Sequence, residues 1–248
     1  MLGYSNITAD STDGTATFHT GGSTLKGGRT YIIPWIATAR DLSSGSASGQ
    51  YAAPAMKAVR TAAICYMRGL RERIQIQTNN GACWQWRRIC FQFRGNDIYR
   101  QGNDIQRIQI ETSSGFTRAQ SDWGASTASE ALNILLFKGR QGTDWQSYMT
   151  AKTDPARVTI CYDRTRIISS GNSNGVMRNY SLWHPMNKNL FYDQDEVGDR
   201  EEESLFASKG NRGMGDYYVV DFIAGGTGTT TSDLLSFDPQ ATLYWHEK

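Results

Sequence analysis

The chain has 248 residues, of which 39% are apolar and 20% charged, with 25 glycines and a formal net charge of +2. This composition excludes a disordered chain, and no apolar run approaches the ~20 residues of a membrane-spanning helix. Four cysteines and three histidines are scattered without a Cys-x-x-Cys pair, which argues against a zinc site or a disulfide framework. We expect one domain over residues 1–248, free and mostly buried thiols, no metal and no cofactor.

Charge is unevenly distributed along the chain. Residues 57–107 hold ten basic residues against three acidic ones, whereas residues 190–203 hold seven acidic residues against one arginine. Of the 26 basic residues 19 are arginine, whose planar guanidinium suits phosphate groups and buried ion pairs. This pattern is compatible with a basic face that contacts nucleic acid and a separate acidic patch.

The N-terminal part predicts few regular elements. Residues 1–29 are rich in Ser, Thr and Gly and read as an extended, irregular lead-in. The run TYIIPWIAT (30–38) predicts a strand at a sheet edge or a bend, because Pro34 cannot donate a ladder hydrogen bond. DLSSGSASGQ (41–50) predicts a loop, and the residues that follow from Ala53 permit a helix.

The clearest strand pattern covers residues 71–78, where every second side chain suits a buried face. We predict an inward face of Glu72, Ile74, Ile76 and Thr78 and an outward face of Arg71, Arg73, Gln75 and Gln77. The Asn-Gly turn in NNGA (79–82) predicts a hairpin that pairs this strand with WQWRRICFQFRG (84–95). In the second strand we predict that Ile89, Phe91 and Phe93 face the core, and that Trp84, Trp86 and Arg88 face an assembly interior or a subunit interface.

The remaining runs predict further short strands and one helix. Strand patterns occur in DIQRIQIET (104–112), ALNILLFKG (131–139), ARVTICYDRTRII (156–168), SLWHPMNKNLFYDQ (181–194), GDYYVVDFIAGG (215–226) and ATLYWHEK (241–248). TDWQSYMTAKTD (143–154) predicts a helix with Thr143 or Asp144 as its N-cap. About eight to ten short strands with at most one or two short helices are typical of an all-β sandwich or barrel, a class that includes the jelly roll.

Catalytic motifs are absent from the sequence. It has no G-x-S-x-G, no H-E-x-x-H and no phosphate-binding loop that ends in Gly-Lys-Ser/Thr, so we predict that the protein is not an enzyme. His184 lies on a strand-like run beside Pro185 and favours a structural role over that of a base. In the acidic run, the oxygens of Asp193, Asp195, Glu196 and Asp199 suit calcium, but their spacing does not match an EF-hand loop. A solvated loop, or a patch that meets a basic surface of a neighbouring subunit, remains the alternative.

The basic and aromatic segment is the best candidate binding site. Single-stranded nucleic acid binds surfaces that combine cations along the backbone with aromatic rings that stack on bases. We predict such a surface from Arg71, Arg73, Trp84, Trp86, Arg87 and Arg88. Tryptophan is also a favoured anchor of protein–protein interfaces and packs in sandwich cores, so both alternatives stay open.

Five segments resemble the capsid proteins of genomoviruses and, more remotely, geminivirus coat proteins. They are RTYIIPWIATAR (29–40), CYMRGLRERIQIQT (65–78), WQWRRICFQFRG (84–95), LWHPMNKNLFYDQDE (182–196) and GMGDYYVVDFIAG (213–225), within a resemblance that runs in order from about residue 3 to 246. The resemblance implies a single jelly-roll β-sandwich of about eight antiparallel strands. It also implies a T=1 icosahedral shell of roughly 60 subunits, a homo-60-mer, that encloses circular single-stranded DNA.

The resemblance further implies a virion protein that enters the host nucleus before assembly and has no membrane partner. Family members begin with a basic arm that carries the nuclear import signal, whereas the first basic residue here is Lys26. We therefore expect the given sequence to begin after that arm, with the host import machinery recognising the arm. We also expect the acidic residues to form subunit contacts, namely Asp193, Asp195, Glu196, Glu201, Glu202 and Glu203.

Two other functions remain open at the level of sequence. The first is a β-sandwich binding module that holds carbohydrate or single-stranded nucleic acid on exposed aromatic side chains. The second is a hydrolase built on a β-sandwich, which would depend on His184.

Overall fold

The computed structural model describes residues 1–11, 13–41, 60–112, 115–124, 126–198, 200–210 and 212–247, and for 195–197, 200 and 201–203 the backbone alone. The loop predicted at 41–50 and the helix-permissive residues after Ala53 lie almost wholly outside these ranges. None of the helices in the described part is both long enough and apolar enough to span a bilayer.

Strands are the main regular element of the described chain and only one α-helix occurs in it, so the predicted all-β class is confirmed. The strands are β1 (Gly3–Ser5), β2 (His19–Thr20), β3 (Ser23–Lys26), β4 (Thr30–Ile36), β5 (Ile64–Thr78), β6 (Trp84–Phe93), β7 (Ile110–Thr112), β8 (Gly115–Gln120), β9 (Thr159–Ile168), β10 (Met177–Val197), β11 (Arg200–Ala207), β12 (Asp216–Gly225) and β13 (Leu234–Glu247). A single α-helix in these ranges, α1, spans Ala128–Leu136, and a 3-10 turn spans Tyr99–Gln101.

The strands form three sheets. A five-stranded sheet has the order β11-β10-β5-β13-β3, a four-stranded sheet has the order β4-β12-β6-β9, and a smaller sheet has the order β2-β1-β8-β7. All pairs in the first two sheets are antiparallel, whereas β1 runs parallel to β8. The lead-in predicted as irregular therefore holds three short strands, because its polar backbone groups find partners in two different sheets.

The pairing of the two larger sheets is nested. Strand β3 pairs with β13, β4 with β12, β5 with β10, and β6 with β9, so that the first of these eight strands meets the last and the middle two meet each other. Pairs β5–β13 and β6–β12 join the nested pairs into the two sheets. The chain thus behaves as one long folded ribbon whose two halves roll up together.

The two larger sheets pack face to face. The ring of Trp86 on β6 contacts Phe237 of β13 and Tyr180 of β10, at centroid distances of 5.9 and 5.2 Å. Two apolar clusters fill the space between the sheets, one around Trp84 and Trp86 and the other around Trp35, Cys65 and Leu70. Burial of such large apolar side chains supplies the main driving force for this arrangement.

The outer face of the four-stranded sheet is also covered. A third apolar cluster joins Ile89, Phe91 and Phe222 of this sheet to Leu132 and Leu136 of α1. The helix lies where a buried strand was predicted from ALNILLFKG, and that prediction was wrong. The buried residues Ala128, Leu132 and Leu136 recur every four positions, which is the period of a helix that packs one face on a sheet.

The prediction of a helix at 143–154 was also wrong. This segment forms turns, in which the Asp144 carboxylate accepts the backbone amide of Arg140 at 2.7 Å and Gly142 adopts a positive φ of 85°. The segment is held by burial of Trp145 and Tyr148 around Phe137, so tertiary contacts replace the helix that its composition permits.

The hairpin predicted from the Asn-Gly turn does not form. Strand β5 pairs with β10 and β13, whereas β6 pairs with β9 and β12 in the opposite sheet. At the turn, Asn80 bridges Asn174, and a Cβ atom at Gly81 would lie 2.1 Å from the carbonyl oxygen of Asn172. The turn therefore carries the chain from one sheet across to the other, and β6 lies over β5 instead of beside it.

Most other strand predictions are confirmed, but of DIQRIQIET (104–112) only Ile110–Thr112 forms a strand. The alternation of residues 71–78 is as predicted, with Glu72, Ile74, Ile76 and Thr78 buried and the intervening side chains exposed. Strand β4 contains Pro34 and lies at the edge of its sheet, where a missing amide hydrogen is tolerated. All four cysteines are free, but only Cys65 and Cys90 are buried.

Candidate nucleic-acid interface

The six residues predicted to bind nucleic acid divide into two groups. Trp84, Trp86 and Arg88 have no exposed surface, and Arg87 is only 6% exposed. A side chain inside the subunit cannot stack on a base or reach a neighbouring subunit, so for these four residues the prediction was wrong. The physical reason is that β6 lies over β5: the face that holds Trp84, Trp86 and Arg88 packs against the other sheet.

Arg87 lies on the opposite face of β6 and is paired as well. Its guanidinium forms a bidentate ion pair with Asp163 at 2.8 and 2.6 Å. It also donates to the backbone carbonyls of Tyr148 and Ala151, at 2.6 and 2.8 Å. Arg87 therefore ties the turns after α1 to the sheet, and its charge is already matched.

A cluster of charged side chains lies at the centre of the sandwich. On each of four strands one polar residue interrupts the apolar inward face at the same level: Glu72 on β5, Arg88 on β6, His184 on β10 and Asp221 on β12. A fifth member, Arg118, enters from β8 of the smaller sheet. We call this group the buried ionic cluster, and none of its side chains is more than 2% exposed.

The geometry of the buried ionic cluster is that of a closed network. Arg88 donates to both carboxylate oxygens of Asp221 at 2.7 and 2.8 Å and forms an ion pair with Glu72 at 2.5 Å. Arg118 donates to Asp221 at 2.7 Å and lies 3.5 Å from Glu72. The indole of Trp86 donates to Asp221 at 2.7 Å. Two guanidinium groups thus balance two carboxylates, as burial of charge requires.

The pKa of Glu72 reflects this balance. Burial alone would raise it, but the charge of Arg88, the hydrogen bond with His184 and the charge of Arg118 outweigh burial and lower the pKa to about 2. His184 lies 3.2 Å from the Glu72 carboxylate and packs edge-on against Tyr162. The structural role predicted for His184 agrees with this enclosed position.

The second group, Arg71 and Arg73, lies on the solvent side of the five-stranded sheet. On β10, Ser181 pairs with Arg73 and Trp183 pairs with Arg71. On β13, Gln240 pairs with Arg73 and Thr242 pairs with Arg71. No ion pair joins either arginine to a carboxylate among the residues that the structure describes. These two guanidinium groups are therefore available to a ligand.

Two large aromatic side chains lie on the same face. Trp183 of β10 is 48% exposed and Tyr244 of β13 is 42% exposed, and their ring centroids are 5.8 Å apart. Both rings lie beside Gly69 of β5, which pairs with Tyr244. A Cβ atom at Gly69 would lie 2.6 Å from the indole of Trp183, so glycine is the residue that lets this ring lie against the strand.

Sequence reasoning missed this aromatic pair. Trp183 lies two positions after Ser181 in the strand pattern of residues 181–194. Period two therefore places it on the same outward face as that serine. Tyr244, however, lies 61 positions further along the chain, and only the pairing of both strands with β5 brings the two rings together.

Arg68 extends the basic character of this face. It borders a depression of about 400 Å³ together with Arg71, Trp183 and Tyr244. An adjoining depression of about 230 Å³ lies between Arg71, Arg73 and Tyr244. Arg68 donates to the side-chain oxygen of Asn187, and no carboxylate of the described chain forms an ion pair with it. We call Arg68, Arg71, Arg73, Trp183 and Tyr244 the aromatic–arginine face.

A second basic region lies at one edge of the sandwich. Arg94, Arg157, Lys188 and Lys209 border a cleft of about 560 Å³. Three of these cations already have partners there, since Arg94 donates to the carbonyl of Gly213, Arg157 lies 3.4 Å from a carboxylate oxygen of Asp154, and Lys188 donates to Gln92 at 3.1 Å. Among the described residues that border the cleft, the one aromatic side chain is Phe93, which is partly buried against the apolar cluster beneath α1.

The acidic residues predicted at a subunit interface lie on β10 and β11. Asp193 is exposed, and the backbones of Asp195 and Glu196 pair with those of Glu202 and Glu201. The side chains of Asp195, Glu196, Glu201, Glu202 and Glu203, and all of Asp199, lie outside the described part of the structure. No group of three potential metal ligands occurs among the described residues. The interface remains a prediction.

No protein-family model matches the chain, and no curated protein sequence is detectably similar to it.

Proposed function

We propose that the chain is a capsid subunit that self-assembles into a small icosahedral shell, with T=1 geometry and roughly 60 copies, around a circular single-stranded DNA genome. The observation that carries this proposal is the nested pairing of eight strands in two packed sheets. The family resemblance of the five sequence segments supports the same conclusion, including the virion location and the nuclear stage of assembly.

The nested pairing favours a jelly roll. In chain order the eight strands are β3, β4, β5, β6, β9, β10, β12 and β13. Consecutive strands lie in opposite sheets except β6 and β9, which pair, so that one sheet reads first-eighth-third-sixth and the other second-seventh-fourth-fifth. Rolling up a long antiparallel ribbon produces this order. Jelly rolls of eight strands are the building blocks of many viral capsids, although lectins and cupins use them too.

The position of the ionisable groups favours a structural protein over a hydrolase. The buried ionic cluster has the residue types of a catalytic site, including a histidine, two carboxylates and two arginines. Its side chains are 0–2% exposed, so no substrate reaches them in this fold. What lies open instead is a sheet face with unpaired arginines, which suits contact with a polyanion.

A binding module is the second candidate. The exposed rings of Trp183 and Tyr244 favour it, because carbohydrates and bases both stack on aromatic side chains. A neutral sugar would not require the unpaired guanidinium groups beside those rings. The arginines therefore favour nucleic acid over carbohydrate within this alternative as well.

Electron microscopy of the purified full chain tests the proposal directly. Negatively stained protein is examined for particles, and the ratio of absorbance at 260 and 280 nm is measured before and after nuclease treatment. Uniform closed particles that protect nucleic acid from nuclease are the expected result. A monodisperse monomer under all assembly conditions would contradict a shell subunit and leave the binding module.

A further inference from the structure

The aromatic–arginine face has the composition of a site, not of an ordinary solvated sheet. Trp183 and Tyr244 expose about half of their surfaces although large apolar side chains are normally covered. The indole of Trp183 is held in place from below by the strand backbone at Gly69 and from the side by Tyr244. The two rings therefore form a fixed platform in the absence of any partner.

Three arginines that form no ion pair with a described carboxylate lie around this platform. Arg68 and Arg71 border the same depression as the two rings, and Arg73 borders the adjoining one. The carboxylate of Asp238 borders a third depression together with Arg73, but the two side chains form no ion pair. Among the described side chains, cations therefore outnumber acids beside the platform, which favours an anionic ligand.

The spacing of the cations suits an extended chain of phosphates. Arg71 and Arg73 are two residues apart on one strand and point to the same side, so their Cα atoms are separated by roughly 6.8 Å. Successive phosphates of an extended single strand have a comparable separation. Double-stranded DNA would not offer its bases to the rings, because they are stacked inside the duplex.

We propose that Trp183 and Tyr244 stack on bases of single-stranded DNA while Arg68, Arg71 and Arg73 bind its phosphates. This inference rests on the proposed function, since it assigns the packaged genome to one face of the subunit. It places the genome-facing side of a shell on the five-stranded sheet. The covered outer face of the four-stranded sheet then belongs to the opposite side.

Binding of a short, fluorescently labelled oligothymidylate to the full chain tests the stacking platform. Trp183→Ala combined with Tyr244→Ala is expected to raise the dissociation constant at least about fivefold, the lower bound for loss of one stacked base. Met177→Ala is the matched control, because Met177 is exposed on the same face of β10 but lies outside the platform. Equal affinities of the double variant and the control would overturn the proposal.

The salt dependence tests the arginines separately. Each phosphate contact contributes about 0.7 to the slope of log affinity against log salt for single strands. Arg71→Gln combined with Arg73→Gln is therefore expected to lower the slope by about 1.4. Arg164→Gln, at an exposed position of β9 in the other sheet, is expected to leave the slope unchanged. An unchanged slope in the double variant would contradict phosphate binding at this face.

Microscopy of the same variants separates this inference from the proposed function. Normal particles that lack DNA in the Trp183 and Tyr244 variant would support both. Loss of DNA binding by a protein that never forms particles would support the platform and contradict the shell. Two results would overturn the platform and leave the shell intact: particles that package DNA normally, or assembly defects with unchanged DNA affinity. Binding of a neutral glycan in place of DNA would overturn the platform and favour the binding module.

Discussion

Arginines on the two sides of strand β5 have opposite roles. Arg88 and Arg118 lie on its inward side and share the carboxylates of Glu72 and Asp221, whereas Arg71 lies on its outward side without an ionic partner in the described chain. Residue type is the same, and the side of β5 on which each guanidinium lies decides the difference. The comparison teaches that Arg88 and Arg118, from which water is excluded, are matched by carboxylates, whereas Arg71 lies where a ligand can supply the partner.

Energetics explain why the two groups differ. A buried charge without a partner costs several kcal/mol, so Arg88 and Arg118 need the carboxylates of Glu72 and Asp221 beside them. An exposed arginine keeps its water and costs little. The outward arginines therefore contribute little to stability, and their pairing is left to whatever binds the face.

Removing one carboxylate from the buried ionic cluster should have the largest effect. Glu72→Gln leaves Arg88 and Arg118 with a single negative partner, so we expect a loss of about 3–5 kcal/mol in the free energy of unfolding. Arg71→Gln, one position away on the outward side, should change it by less than about 0.5 kcal/mol. Urea denaturation of both variants measures the difference, and equal losses would refute the comparison.

Trp86, in the core between the sheets, and Trp183, on the solvent side of the five-stranded sheet, offer a second and smaller contrast. Trp86→Phe removes the indole N–H that donates to the side-chain oxygen of Asp221 within the buried ionic cluster, which should cost about 1.5–3 kcal/mol. Trp183→Phe keeps an exposed ring and should cost less than about 0.5 kcal/mol. Thermal unfolding monitored by circular dichroism distinguishes them. A larger shift for Trp183→Phe would mean that the outward ring is held more firmly than its exposure indicates.

Asp216 contrasts with Glu72, because it is a buried acid that forms no ion pair among the described residues. Its carboxylate accepts hydrogen bonds from Thr38 and from the backbone amide of Ala207, both at 2.9 Å, yet burial dominates and raises the pKa to about 7. The pKa of Glu72 is instead lowered to about 2, by neighbouring arginines and His184 that overcome its burial. The stability supplied by Glu72 is present above pH 4.5 and is lost as the pH falls through about 2.

For Asp216 the stability changes with pH in the opposite direction, because its pKa is raised and not lowered. Its contribution is fully present below pH 3.8 and is lost as the pH rises through about 7. We therefore expect Asp216→Asn to gain stability relative to the original protein between pH 4.5 and 7.5, by at least ~1.4 kcal/mol, the equivalent of one pKa unit. Urea denaturation at the two pH values measures this gain. A difference between the two proteins that stays constant with pH would contradict the raised pKa.

The smallest effect is expected from the acidic strands. Replacing Glu201, Glu202 and Glu203 together by Gln should alter assembly more at low salt than at high salt, because exposed charges are screened within about 10 Å at 0.1 M ionic strength. Light scattering during assembly at two salt concentrations measures the change. Identical assembly curves at both concentrations would count against a role of these residues in subunit contacts.

The sequence was a good guide to one face of β5 and a poor guide to its neighbours. Alternation of period two assigns Glu72 and Arg71 to opposite sides, and the structure confirms it. The same alternation in β6 could not show that both of its faces are buried. Strand β5 covers one face of β6, and the chain from α1 to Val158 covers the other. Neither contact follows from the local sequence pattern of β6.

The Asn-Gly turn shows why the candidate site was half wrong. Such a turn reverses the chain, but whether the next strand lies beside or above the previous one depends on partners more than 80 residues away, such as Asn174 and β10. An apolar run raised the same problem at α1, where LNILL fits a buried strand as well as a helix. Contacts distant in sequence settled both cases.

The nested pairing has a consequence for how the protein is made. Residue Lys26 of β3 pairs with Leu234 of β13, and the backbone of Met1 exchanges hydrogen bonds with that of Ala241 at 2.7 and 2.9 Å. A ribosome adds roughly 5–20 residues per second, so β3 waits roughly 10–40 s for its partner to be synthesised. Neither β4 nor β5 can pair before β12 or β10 emerges. Nascent chains therefore carry open strand edges until β10, β12 and β13 have been synthesised, and crowded polysomes are where their aggregation would begin.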